Sequence, residues 1–313
     1  MISQASAQII FVRQGGTGNG TSWNDATGNL SLALQQASAG TQIWVAAGTY
    51  TPTASADRKI SFNIPNGVKV YGGFSGIEQS IEERQIENNT TILSGEIGQP
   101  GIGDNSFSVV IMENVDANTI LDGLTITAGN ANSEAQDLNR NRCGGGLYIK
   151  GENGGAFPTI SNCTIAGNMG RDGAGVYNNG RNGESSPTFV NCVFKNNEAG
   201  LDGGAMYNDG RMNGKSNPIL TNCTFERNMG TYGGAICNAT ETGTCNLTIE
   251  NCTFKENAAY LRGGAVFSMN GDQKCYMEMT DCNFVNNYPD DQSMVFTSTK
   301  GRQDAYDISR SNP

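Results

Sequence analysis

Histidine is absent from all 313 residues, and charged residues make up only 16%. The first absence removes Ser-His-Asp triads, Cys-His nucleophile pairs and His-bound zinc. Long apolar runs are missing too, so no stretch supplies the roughly 20 residues of a bilayer-crossing helix. Twenty Lys and Arg stand against 30 Asp and Glu, a net charge of −10, and the basic residues nowhere cluster. That balance argues against nucleic acid or an anionic membrane as the partner. Hydrophobic residues reach only 37%, whereas glycine numbers 42. A thin, extended core fits this composition better than a thick one.

What is present is a repeat. NCTIAGNMGRDGAGVYN begins at Asn162, and near-copies begin at Asn191, Asn222 and Asn251, with a half-copy, DCNFVNN, at Asp281. Its cysteines, Cys163, Cys192, Cys223, Cys252 and Cys282, are 29, 31, 29 and 30 residues apart. The glycines Gly144, Gly173, Gly203, Gly233 and Gly263 are 29, 30, 30 and 30 apart. A fixed period of this size marks a solenoid. Units rich in Gly, Asn and Thr carry no 3.6-residue apolar stripe, so the coils are β. Ile160, Phe189, Leu220, Ile249 and Met279 precede the cysteines by three, and Ile165, Phe194, Phe225, Phe254 and Phe284 follow them by two. This alternation predicts an inward face, with Leu147, Val176, Met206, Ile236 and Val266 inward on a second strand. The asparagines Asn168, Asn197, Asn228, Asn257 and Asn287 fall at a turn, where stacked amides can satisfy one another.

The predicted fold is an all-β, right-handed parallel β-helix with coils of about 30 residues. Residues 9–289 form one domain, irregular over 9–142 and regular over 143–289. Residues 1–8 are read as the remnant of an export signal or a disordered tail, because Ala5-Ser6-Ala7 has the small-x-small form of a cleavage site. Residues 290–313 are read as a C-terminal cap or tail. In the front half, strands are expected in 9–12, 42–50, 68–74, 90–95, 108–113 and 119–130. The apolar spacing of Leu30, Leu34 and Ala37 predicts a helix over 30–37 that covers the open end, and 77–87 is expected as a second, exposed helix.

The GGA(I/V/M) and F-x-x-N pairs, such as Gly233–Ile236 and Phe225–Asn228, resemble the repeats of chlamydial polymorphic outer-membrane proteins. IWVAAGTYTPT, GVKVYGGFSG, TILSGEI and ILDGLTITAGNAN are similar to secreted bacterial β-helix proteins of the pectin-lyase-like class. The resemblance covers about residues 9–287 and implies a secreted or cell-surface protein. Its relatives include adhesins and polysaccharide-cleaving enzymes that use clustered Asp, or Lys or Arg with calcium. The chain has no room for the C-terminal membrane barrel of the polymorphic proteins.

Chemistry is expected where coils stack unlike residues. The position before each glycine pair holds Asp172, Asp202, Tyr232 and Arg262 in turn, with Arg140 and Arg142 in the loop ahead. Carboxylates on adjacent coils would lie about 5 Å apart, a spacing suited to a catalytic pair or a calcium site. Asp172, Asp202 and Arg262 are therefore the catalytic candidates. Arg142, Asp172, Asp202, Tyr232 and Arg262 are the ligand-binding candidates, and Asp172 and Asp202 the calcium candidates. The alternative is an exposed corner that tolerates any polar residue. Arg181, Arg211, Lys215 and Lys274 on the loops read as a solvated edge. Among nine cysteines, five are inward ladder positions; Cys245 and Cys275 are vertical neighbours that a disulfide could bridge, with Cys237 the competing partner. The Asn-Cys-Thr triplets match a glycosylation pattern, but the ladder explains them. A water-ordering threonine array is broken by Val193, Ile219, Glu278 and Asn283.

The functional expectation is a scaffold that binds a glycan or an envelope protein, adhesin-like. A polysaccharide lyase or hydrolase using the acidic corner, with calcium, is the alternative.

Overall fold

The computed structural model describes residues 8–134, 140–269 and 275–289, together with the backbone of the strands Asp291–Thr299 and Arg302–Ser309. The expectations for residues 1–7 and Lys274 lie outside the described residues, as do the side chains of the expected cap. The chain winds as a right-handed parallel β-helix of about nine turns. One sheet begins with Ile9–Val12 and Gln42–Ala46 and runs through Thr159–Ser161, Thr188–Val190 and Ile219–Thr221 to Cys275–Thr280. A second contains Thr164–Ala166, Val193–Lys195 and Thr224–Glu226, a third Leu147–Lys150, Val176–Asn179 and Met206–Asp209, and a short fourth Met169–Gly170, Glu198–Ala199, Met229–Tyr232 and Ala258–Arg262. From coil to coil the pairing is parallel, and like residues meet: Phe194 pairs Phe225, which pairs Phe254, which pairs Phe284; beyond Cys275–Thr280 the first sheet ends in an antiparallel pair, Asp291–Thr299 with Arg302–Ser309. Their rings stack at 4.6, 4.8 and 5.0 Å between centroids. The inward ladder cysteines Cys163, Cys192, Cys223 and Cys252 are buried among them.

Each regular coil turns at three left-handed residues. Asn162 (φ 51°) and its copies Asn191, Asn222, Asn251 and Asp281 bend the first sheet into the second. Gly173 (φ 55°) and its copies bend the fourth into the third. The middle bend uses Gly167, Asn196, Arg227, Glu256 and Asn286, each directly before a ladder asparagine. Left-handed backbone costs a non-glycine residue about 1–2 kcal/mol, so Arg227 and Glu256 are held there by the asparagine next to each in the chain. Those asparagines form a buried amide ladder. Asn197 Oδ1 accepts both the backbone N–H (3.1 Å) and the Nδ2 (3.0 Å) of Asn168, and the pattern recurs to Asn287. Each Nδ2 also donates to a carbonyl of the preceding coil, as Asn228 does to Phe194 (2.9 Å).

The helix Leu30–Gln36 forms where the apolar spacing placed it, with Asn29 Oδ1 accepting the Leu32 N–H at 2.9 Å. Leu30, Ala33 and Leu34 are buried against the first coils. The second expected helix is not there; only a 3-10 turn, Ile81–Glu83, occurs. One local bonding pattern and one long-range ion pair divert the segment. The Glu78 carboxylate accepts the N–H groups of Ser75, Gly76 and Ile77 (2.6–3.0 Å), and Arg84 reaches Asp122 at 2.7 Å. Burial pushes the Glu78 carboxyl up, but these amides outweigh it and hold it at about 2. A further strand, Phe62–Ile64, pairs with Val110–Glu113 and was not anticipated.

Cys245 and Cys275 face one another in register, both buried. They are thiols, like the other seven; Cys245 Sγ lies 3.4 Å from the carbonyls of Asn208 and Ala239, and the two thiols share a hydrogen bond. Cys237 is no competitor. It sits on the opposite side of the wall, in a cluster with Tyr148, Tyr177 and Tyr207.

Candidate ligand-binding flank

The predicted corner row exists as a row. Cys143 bridges to Asp172, Asp202 to Tyr232, and Tyr232 pairs Arg262. It is not an open acidic corner, however. Asp172 is 2% exposed and Asp202 9%. Asp172 Oδ1 accepts the Asp202 N–H (3.3 Å), and Asp202 Oδ1 accepts the Tyr232 N–H (3.2 Å), so each carboxylate caps the backbone of the next coil. The other Asp172 oxygen takes the Arg171 guanidinium and lies 3.9 Å from the Cys143 thiol. Burial pushes the Asp172 carboxyl up against the pull of Arg171. Asp202 is raised to about 6, by burial first and by the Asp172 charge second.

This set does not fit calcium. The ion takes six to eight oxygens, whereas both Asp172 oxygens and one Asp202 oxygen already accept N–H groups, and the described residues hold no cluster of three metal-binding side chains. One oxygen of each carboxylate is turned to a backbone N–H of the next coil. Tyr232 stacks on Phe267 (4.7 Å between centroids). Arg262 alone of the row is open to solvent.

The loop arginines also turn inward. Arg211 makes a two-pronged contact with buried Asp209 (2.8 and 2.7 Å), whose other partners are the Tyr177 hydroxyl at 2.6 Å and Arg181 at 3.9 Å. That pairing pushes the Arg211 pKa up despite partial burial. The expected solvated edge is in this part a neutralised cover over the outer tyrosines, Tyr148, Tyr177 and Tyr207, which stack at 5.6 and 5.3 Å. The sequence signal was available: Asp209 replaces Asn179 and Ala239 two residues beyond the buried ring of Tyr207.

Arg142 stands apart from the acidic pair. With Arg171, Asn130, Asn132, Glu198 and Leu201 it lines an open groove of about 390 Å3 along the short fourth sheet. Arg58 braces the far wall, donating to the Asn130 carbonyl (2.8 Å) and to Asn132 Oδ1 (2.6 Å). Arg171 is balanced by Asp172, Arg58 lies in the field of Asp104, and Glu198 lines the same groove as Arg142. The groove thus offers guanidinium and amide groups with little net charge.

No protein-family model and no curated protein matches this sequence, so the phrases that resemble polymorphic outer-membrane repeats have no matching family. Solved structures do match. Pectate lyase Pel9A superposes with a TM-score of 0.57 at 15% identity, over 89% of this chain and 63% of that one. Pectin methylesterase from carrot (TM-score 0.41, 12% identity, 91% and 85% covered) and a polygalacturonase from Erwinia carotovora ssp. carotovora (0.38, 10%, 91% and 95%) are more distant. The likeness to Pel9A shows the fold, and this chain spans under two thirds of that protein's length.

Proposed function

We propose that this chain is a secreted or surface-exposed β-helix scaffold that holds a glycan on its fourth-sheet flank without cleaving it. One observation carries the reading: the carboxylates that could cleave a sugar chain are buried as backbone caps, while the open groove beside them presents Arg142, Arg171 and Asn132. Planar guanidinium and amide groups suit hydroxyl-rich ligands, which need several directed hydrogen bonds. The likeness to a pectate lyase is compatible with a glycan partner rather than an envelope protein. A second reading, a lyase or hydrolase, draws on Asp202, since a carboxyl raised to about 6 is in the range of a general acid.

A glycan panel assayed with and without calcium separates the two. Retention that is indifferent to calcium, releases no unsaturated or reducing ends, and falls in Arg142→Ala and Arg171→Ala supports the scaffold. Turnover that disappears in Asp172→Asn and Asp202→Asn replaces it with the enzyme.

A further inference from the structure

Coils differ in length at one place. From ladder asparagine to corner glycine the steps are 5, 6, 5 and 6 residues: Asn168 to Gly173, Asn197 to Gly203, Asn228 to Gly233 and Asn257 to Gly263. The five-residue coils close the same turn, so the extra residue is not demanded by the fold. Both longer coils push apolar groups into water there: Leu201 is 37% exposed, Tyr260 69% and Leu261 55%. Tyr288, 68% exposed, bridges to Ala258 on the next rung.

These residues continue the groove. Register places Asn130, Met169, Glu198, Met229, Ala258 and Tyr288 in one column, so the flank extends five rungs, about 24 Å at about 4.8 Å per rung. Its N-terminal end carries Arg142 and Arg171; its C-terminal end carries Tyr260, Leu261 and Tyr288. An exposed apolar strip continuous with a polar groove marks an interaction surface. Tyrosine is suited to one that must stay soluble, being an apolar plate with a polar tip.

Resting on the glycan reading above, we infer that Tyr260 and Tyr288 form a platform for sugar-ring faces, and that the ligand is an extended, neutral glycan lying along the helix axis. Neutrality follows from charge. The groove is nearly balanced, and a chain carrying −10 repels a polyanion. Extension follows from the strip of about 24 Å, since a single sugar in the groove does not reach the tyrosines.

The test is calorimetric titration with neutral β-linked gluco-oligosaccharides of two and six units, and with hexagalacturonate. The hexamer should bind more tightly than the dimer. Tyr260→Ala and Tyr288→Ala should each weaken the hexamer roughly 5- to 10-fold and leave the dimer unchanged, with melting temperature and circular dichroism as the folding control. If the groove variants Arg142→Ala and Arg171→Ala lose binding but the tyrosine variants match the parent at both lengths, the platform is wrong and the glycan reading stands. Preference for hexagalacturonate overturns the neutral assignment. If no oligosaccharide binds, the reading and the inference fall together.

Discussion

Two rows run side by side up this helix, and they solve the same problem differently. The buried asparagines Asn168 to Asn287 and, in the corner row Cys143, Asp172, Asp202, Tyr232 and Arg262, the two aspartates both cap backbone N–H groups of the adjacent coil. An amide accepts and donates, so one asparagine can satisfy the coil above and the coil below, and the same residue serves at every rung. An ionised carboxylate only accepts. Stacked carboxylates repel, and the row must change identity within two coils and enlist Arg171. Uniformity here is a property of the functional group, not of the wall it lines.

Substitutions in the two rows should separate these two solutions. The largest effect is expected for Asn228→Ala. It strips the partner from the Asn197 N–H and a donor from the Phe194 carbonyl, while Asn197 Nδ2 keeps the Ile165 carbonyl and Asn257 Oδ1 keeps the Asn228 N–H, and should cost about 4 kcal/mol at ~2 kcal/mol for each of the two orphaned groups. Urea unfolding measures it, and a loss below about 1 kcal/mol would mean the ladder follows the fold instead of holding it. Next comes Asp209→Ala, which leaves Arg211 without its buried counter-charge and Tyr177 without its acceptor; about 3 kcal/mol is expected.

Asp202→Asn should act in the opposite direction. Its carboxyl is raised to about 6 in the folded chain, above the ~3.9 of an unfolded aspartate. The stability this group contributes is complete below the unfolded value and is lost as pH rises through the folded one. The amide keeps an oxygen for the Tyr232 N–H, so the variant should be more stable by about 1 kcal/mol at about pH 7.5, after discounting for solvent screening, with the gain vanishing near pH ~4. Paired melts at the two pH values show whether that crossover exists. The smallest change should be at the exposed corner, where Asn222→Ala loses two solvated amide contacts and pays for φ of 55°. About 1 kcal/mol is expected, and Asn222→Gly should recover most of it.

Much of the architecture could be read from residues because stacking makes sequence period and spatial rung the same thing. The inward positions around Cys192 and Cys223, the asparagine turns and the corner row all follow from it. The middle left-handed position could not be found that way. Gly167, Asn196, Arg227 and Glu256 share no side-chain property, since the amide after each one imposes the angle. The expected helix at 77–87 failed for a related reason: Glu78 satisfies three amides locally, a competition that periodicity does not register. Burial at Asp172 was missed because a polar residue at a glycine corner looks like solvent-facing sequence, and its cation, Arg171, is a sequence neighbour rather than a copy on another coil. The groove escaped because it joins Arg142 to residues such as Asn132 that lie ahead of the regular repeats.

The outer corner amides hand their hydrogens in one direction only: Asn251 to Asn222, Asn222 to Asn191, Asn191 to Asn162, and Asn162 to the carboxylate of Asp122. Such a relay has a sender and a receiver. Arg84 steadies the receiver at one end, and Asp281, with no amide to pass on, stands at the other. A copied thirty-residue unit spliced between them would find both terminals already fitted, so this molecule can lengthen from its middle far more readily than from either tip.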